Sequence, residues 1–234
     1  MARVAVAGKG IARRLMLPTD AKFASTAVAG RGIARRLLLP MENALKGVEG
    51  QGWMFPTVVG PSSVQGAGNG RFAQEFVPAK SKVVIKPMVP MAKVESLESV
   101  PKDHTVTFAN PDDLEKYVRL GMSEGGFSRD QVMDTFENFI FGFDGKVACL
   151  NTSTWTINHS DKVEDGLNIN MFQSTLQDGS QALIGEAFND IQVGDEFYNN
   201  YRDFKLPGFY MSYCSDHGFK DVRTKVLEAV DGHA

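Results

Sequence analysis

The chain has 234 residues, 43% of them hydrophobic, and its 25 Lys and Arg against 28 Asp and Glu give a formal charge of -3. That length and apolar content exclude wholesale disorder and a fibrous rod, and they predict one full domain with appendages. Cys149 and Cys214 are too few for a disulfide framework or a four-thiolate zinc site, and no apolar run reaches the ~20 residues that span a bilayer, so a soluble protein of a reducing compartment is expected.

The first 50 residues hold nine basic side chains against three acids, a local charge of +6 that leaves -9 for the remainder. Within them Ala5–Pro18 (AVAGKGIARRLMLP) recurs as Ala27–Pro40 (AVAGRGIARRLLLP), 22 residues on. Two copies are too few for a solenoid. Arg-rich, acid-poor and weakly amphipathic, the stretch 1–46 has the character of an organellar transit sequence, which would place the protein in a plastid or mitochondrion. A basic anchor on an acidic partner, in the cytoplasm or nucleus, is the alternative. The lack of aromatics interleaved with these charges argues against a nucleic-acid arm.

Residues 47–61, rich in Gly and Pro, read as a linker or irregular lead-in. Short apolar runs bounded by turn residues then predict strands at 72–77, 82–85, 105–108, 139–143 and 146–150, with Asp144-Gly145 as a hairpin turn. Pro87, Pro90 and Pro101 make 87–103 poor material for regular structure. Between the strands a helical insert is predicted near 111–136. Pro111 stands at a first-turn position ahead of Leu114, Tyr117, Val118 and Leu120, and Ser128 is the N-cap of a second helix. Many short strands with one helical insert predict a β-rich α+β fold instead of alternating βαβ units.

Three separated segments carry chemistry together. The first, Gly66 to Ala73 (GAGNGRFA), has glycines at 66, 68 and 70 that permit close backbone approach to a ligand, yet it lacks the following helix of a dinucleotide fold and the Gly-Lys-Ser/Thr of a phosphate loop. The second, Trp155-Thr156-Ile157-Asn158-His159-Ser160, has no further His or Cys at ligand spacing, so no metal site is expected. The third runs from Ala187-Phe188-Asn189-Asp190-Ile191 through Gly194-Asp195-Glu196-Phe197 to Tyr198 and Tyr201.

In this order, the three segments resemble the SET-domain family of protein lysine methyltransferases, over about residues 60–204. The resemblance implies a fold of several small sheets with a threaded, knot-like C-terminal crossing, within a domain at 62–206 followed by a C-terminal segment at 207–234. It further implies S-adenosylmethionine as cofactor, contacted by Gly68, Asn69, Gly70, Asn158, His159 and Tyr210, and Tyr201 as the catalytic tyrosine with Tyr198 sharing the channel. Phe204, Phe209 and Tyr213 join Tyr210 as candidates for an aromatic lid. The implied partner is a protein with an exposed lysine.

The chemistry is compatible with such a residue set. Methyl transfer to an amine needs a neutral lysine delivered in line with the sulfonium carbon. Neutralising a lysine at pH 7 costs about 4.6 kcal/mol, which an apolar channel and positioning can offset without metal or nucleophile. Several departures from the family pattern favour a second reading, a catalytically inactive structural subunit of a larger host complex. Ile85-Lys86-Pro87-Met88 replaces a Tyr-x-Gly segment, and Asp161 to Asn168 replaces Cys-x-Pro-Asn, with Asn168 as a stand-in. Asn199 stands where an aromatic or apolar residue is common. The absence of the cysteine-rich zinc-binding tail, where only Cys214 lies, makes the resemblance one to the small members of the family without that zinc site.

Overall fold

The computed structural model describes residues 52–64, 67–152 and 156–231. The duplicated basic segment, Gly66 and Trp155 lie outside them.

The described residues form a strand-rich α+β fold of three sheets. β1 (Thr57–Pro61) and β2 (Asn69–Ala73) make an antiparallel hairpin, and β7 (Asn158–His159) pairs in parallel with β10 (Tyr198–Asn199). The third sheet has six strands in the order β5-β6-β4-β3-β9-β8, built from β3 (Lys82–Pro90), β4 (Thr105–Phe108), β5 (Phe141–Phe143), β6 (Val147–Asn151), β8 (Ile169–Thr175) and β9 (Gln181–Ala187). β3 and β4 are parallel, and the other neighbours antiparallel.

The helical insert is α1 (Pro111–Gly125) and α2 (Arg129–Phe139). Pro111 enters behind an Asn110 cap, and Gly126, at φ 67, ends the helix in the left-handed conformation that glycine adopts without a Cβ penalty. Ser128 and Gln131 satisfy each other's backbone N–H in a capping box. Asp144 and Gly145, at φ 52 and 69, form the tight turn of the β5–β6 hairpin. Two further helices, α3 (Gly208–Asp216) and α4 (Val222–Asp231), close the chain.

Three readings of the sequence are corrected here. Thr57–Pro61, read as the end of a linker, is a strand. β3 continues through Pro87 to Pro90, because pairing with β9 stops at Pro87 opposite Ala182 and pairing with β4 starts at Met88 opposite Thr105, so this half needs few ladder donors. The run at 72–77 is not one strand: β2 stops at Ala73, and Val77 makes a separate bridge to Ile191.

The large sheet separates two cores. Along β6, Ala148 and Leu150 face a helical core with Phe108, Leu114, Tyr117, Phe136 and Tyr210. Cys149, between them, points the other way, into a second core with Val84, Ile157, Leu183, Phe197 and Phe204, as the two-residue period of a strand requires. The chemistry-bearing segments all border this second core.

Candidate active site

Parallel pairing of β7 with β10 sets Asn158 opposite Tyr198 and His159 opposite Asn199, and Ser160 N–H extends the ladder to the Asn199 carbonyl at 3.0 Å. The glycine loop closes against the same strands. The Asn158 side-chain amide lies 3.1 Å from the Asn69 carbonyl, 3.0 Å from Ser62 Oγ and 2.8 Å from Glu196 Oε1. The result is a cavity of about 280 Å³ whose wall includes Gly68, Asn69, Ile157, Asn158, Tyr201 and Phe204.

Each residue has a local reason for its position. Gly68 has φ 73 with open space beside it, so only its backbone conformation calls for glycine. At Gly70 a Cβ would lie 1.9 Å from Glu196 Oε1, so this glycine makes room for a carboxylate of the protein itself. The Tyr201 hydroxyl donates to the Ile157 carbonyl at 2.9 Å, and its backbone N–H donates to His159 Nδ1 at 3.0 Å. That bond leaves the His159 proton on Nε2, which stands 3.2 Å from Asp161 Oδ1. Desolvation holds the His159 imidazole below its ordinary value despite Asp161, so the ring is neutral near pH 7. Burial pushes the Tyr201 phenol up to about 12, leaving it protonated.

A rim of charge ties α4 to the site. Arg202 donates to Asp161 (2.8 Å) and to Asp231 (2.6 Å), Arg223 Nε donates to the Tyr201 carbonyl (2.9 Å), and Lys225 pairs with Glu137 of α2. Val222 and Arg223 thereby become part of the cavity wall.

The predicted site residues divide accordingly. Gly68, Asn69, Asn158 and Tyr201 line the cavity. Gly70, His159 and Tyr198 stand behind it; the Tyr198 hydroxyl is committed to Glu196 Oε2 and Ser63 Oγ, each at 2.6 Å. Tyr210 is not brought to the site: fully buried, it donates to the Phe136 carbonyl at 2.8 Å inside the helical core. Phe209 and Tyr213 pack there too, so of the proposed aromatic lid only Phe204 reaches the cavity. Asn168 does act within the site, donating to the Glu196 carbonyl (2.8 Å) and accepting from Tyr198 N–H (2.9 Å). Asn199 is buried with neither side-chain polar atom bonded among the described residues.

Sequence reasoning missed Phe139, Phe141, Thr156, Glu196 and Arg223. Glu196 and Thr156 each lay within one of the three segments, without a role assigned to either. The α2–β5 junction and α4 carry no local signal of their role, because it arises from chain segments far apart in sequence.

The residues present fit a cofactor with a flat ring and polar groups. Phe139, Ile140, Phe141 and Phe204 supply an apolar wall, Asn138 and Arg223 supply polar groups, and the buried Thr156 Oγ1 on the same wall has no hydrogen-bond partner among the described residues. Thr156 also holds φ 38, a left-handed conformation uncommon for a β-branched residue. Among the described residues no cluster of three or more His, Cys, Asp or Glu could hold a metal, and no helix is long and apolar enough to cross a membrane.

No family model and no curated protein matches the chain. Among solved structures it is similar to two of polycomb repressive complex 2 from Chaetomium thermophilum. One is apo in an autoinhibited state (16% identity, TM-score 0.45, 70% of this chain and 17% of that one). The other is in an autoinhibited conformation bound to S-adenosylmethionine (15%, 0.43, 69% and 17%). A Plasmodium falciparum protein, named provisionally as a histone methyltransferase, is similar at 20% identity and TM-score 0.36, over 63% of this chain and 94% of that one. The chain thus spans less than a fifth of the two fungal polypeptides. Likeness at these scores transfers no residue's role.

Proposed function

We propose that the protein transfers a methyl group from S-adenosylmethionine to a lysine side chain of a protein substrate. The observation that carries this reading is the convergence of three segments distant in sequence, through Gly68 and Asn69, Asn158, and Tyr201, on one cavity with an apolar aromatic wall. Gly68, Asn69 and Asn158 would hold the cofactor largely through backbone groups, since the Asn158 side-chain amide is already engaged by protein acceptors. Bound there, the cofactor would supply an activated methyl group.

The chain's own residues do the rest. The apolar wall of Ile157, Phe141 and Phe204 disfavours an ammonium and so favours the neutral amine that can attack. The protonated Tyr201 hydroxyl, anchored on the Ile157 carbonyl, orients what lies against it without itself giving up a proton. In this reading the basic segment 1–46 serves targeting or anchoring and lies outside the chemistry.

Calorimetry with S-adenosylmethionine tests the proposal. Micromolar to sub-millimolar binding is expected, and Tyr201→Phe should cut methyl transfer at least tenfold while leaving cofactor affinity nearly unchanged. No binding at millimolar cofactor would leave the structural-subunit reading in its place.

A further inference from the structure

The Glu196 carboxylate is the most heavily bonded side chain of the site, and nothing in the proposed chemistry uses it. It is 6% exposed. Oε1 accepts from Ser62 Oγ (2.7 Å) and Asn158 Nδ2 (2.8 Å); Oε2 accepts from Ser63 N–H (2.9 Å), Ser63 Oγ (3.0 Å) and the Tyr198 hydroxyl (2.6 Å). Both oxygens are therefore saturated, and the bonds come from three separate pieces of chain: the start of the glycine loop, β7 and β10. Neighbouring contacts lock its backbone as well, since the Glu196 carbonyl accepts from Asn168 and the residue bridges Phe72 of β2. The missing Cβ of Gly70 is what admits the carboxylate, which would otherwise be met at 1.9 Å.

We propose that Glu196 is a positioning residue: its carboxylate fixes Ser62 and Ser63 against Asn158, whose amide also holds the Asn69 carbonyl, and so keeps the Gly68–Asn69–Asn158 side of the cavity in its ligand-accepting shape, while orienting the Tyr198 hydroxyl. It touches neither ligand nor reacting atoms. A carboxylate suits this role better than a neutral amide. Donors from Ser62, Ser63, Asn158 and Tyr198 converge on two oxygens, and bonds to a charged acceptor are shorter and about twice as strong as neutral ones. A glutamine would offer one oxygen and turn an NH₂ donor toward hydroxyls and N–H groups already pointing at it. The inference rests on the reading of the cavity as a cofactor site, but its local half does not.

The test compares the full-length chain with Glu196→Gln and with Gly70→Ala, which keeps the carboxylate but displaces it. Amide hydrogen exchange at Ser63 and in the 67–70 loop should accelerate at least tenfold in both variants, cofactor or none. The tyrosine identified by difference against Tyr198→Phe should ionise at lower pH in Glu196→Gln. The dissociation constant for S-adenosylmethionine should rise at least tenfold in both variants, with the circular dichroism spectrum unchanged. Unaltered exchange and unaltered Tyr198 ionisation would overturn the positioning role. Altered exchange with unaltered cofactor affinity would overturn its link to the cavity. If the wild-type chain binds no cofactor, the function proposed above fails, while exchange and ionisation still decide whether Glu196 fixes the loop. Should Gly70→Ala not fold, Glu196→Asp, one methylene short of its donors, replaces it with the same expectations.

Discussion

Gly142 offers the sharpest test of how the site is assembled. It lies in the middle of β5, with a φ that any residue adopts, so its identity is purely a matter of space. A Cβ there would lie 2.2 Å from the Lys205 carbonyl oxygen and 2.5 Å from Leu206 Cα, both backbone atoms that no rotamer change can move. The 204–206 segment would have to retreat by about 1 Å to regain ordinary contact. That segment accepts Gly145 N–H at the Lys205 carbonyl (3.0 Å), and its Phe204 ring packs on Phe141 at 5.4 Å in the cavity wall. Overpacking costs about 1–3 kcal/mol, and a backbone-to-backbone collision belongs at the upper end. Gly142→Ala should therefore lower Tm by roughly 6–12 °C, at about 2–4 °C per kcal/mol for a domain of this size, and weaken cofactor binding. Gly179→Ala is the control: φ is 83, no atom lies within 4 Å, and only the left-handed backbone penalty of about 1–2 kcal/mol applies. Calorimetric unfolding of both variants decides the matter. A Gly142→Ala protein as stable as wild type, or more stable than Gly179→Ala, would refute the close approach of β5 to the 204–206 segment.

Stability should also report the site's protonation. Desolvation raises the Glu196 carboxyl, but the bonds from Tyr198, Ser62, Asn158 and Ser63 outweigh it and hold the group below its ordinary range. A group depressed on folding contributes stability above its unfolded pKa, about 4.3, that is lost as pH falls through the folded value. Glu196→Gln should thus flatten the lowest part of a Tm-against-pH curve, and an identical acid limb would contradict the assignment. His159, also depressed, adds an earlier fall below about pH 6.5 that His159→Gln removes. In the helical core, Tyr210→Phe should cost about 1 kcal/mol by urea unfolding with cofactor affinity unchanged, whereas Tyr117→Phe, whose buried hydroxyl has no partner among the described residues, should cost nothing or stabilise. Deleting residues 1–46 should leave cofactor affinity intact but change localisation or assembly; loss of folding would show that the segment is no appendage.

Elements governed by neighbours in sequence were legible without a structure. The Asp144-Gly145 turn, the Asn110-Pro111 and Ser128 helix starts and the strand at Thr105–Phe108 each follow from local backbone preference and alternation. That Gly68, Asn158 and Tyr201 would meet was implied only by the family resemblance of three ordered segments; in the structure all three line one cavity. Where a residue's role depends on what packs against it, the sequence alone is silent. Gly70 and Gly68 look alike in the chain, yet one serves the Glu196 carboxylate and the other its own φ. Tyr210 and Tyr201 are both tyrosines near the C-terminus, yet α3 carries the first into the helical core while the 3-10 turn just after β10 delivers the second to the cavity. The sequence by itself determined the strand-rich class of the fold and the segments that border the site. Tertiary structure alone decided which of their side chains face the cavity and which hold the wall in place, because the large sheet parts two cores and a side chain's neighbours across it come from anywhere in the chain.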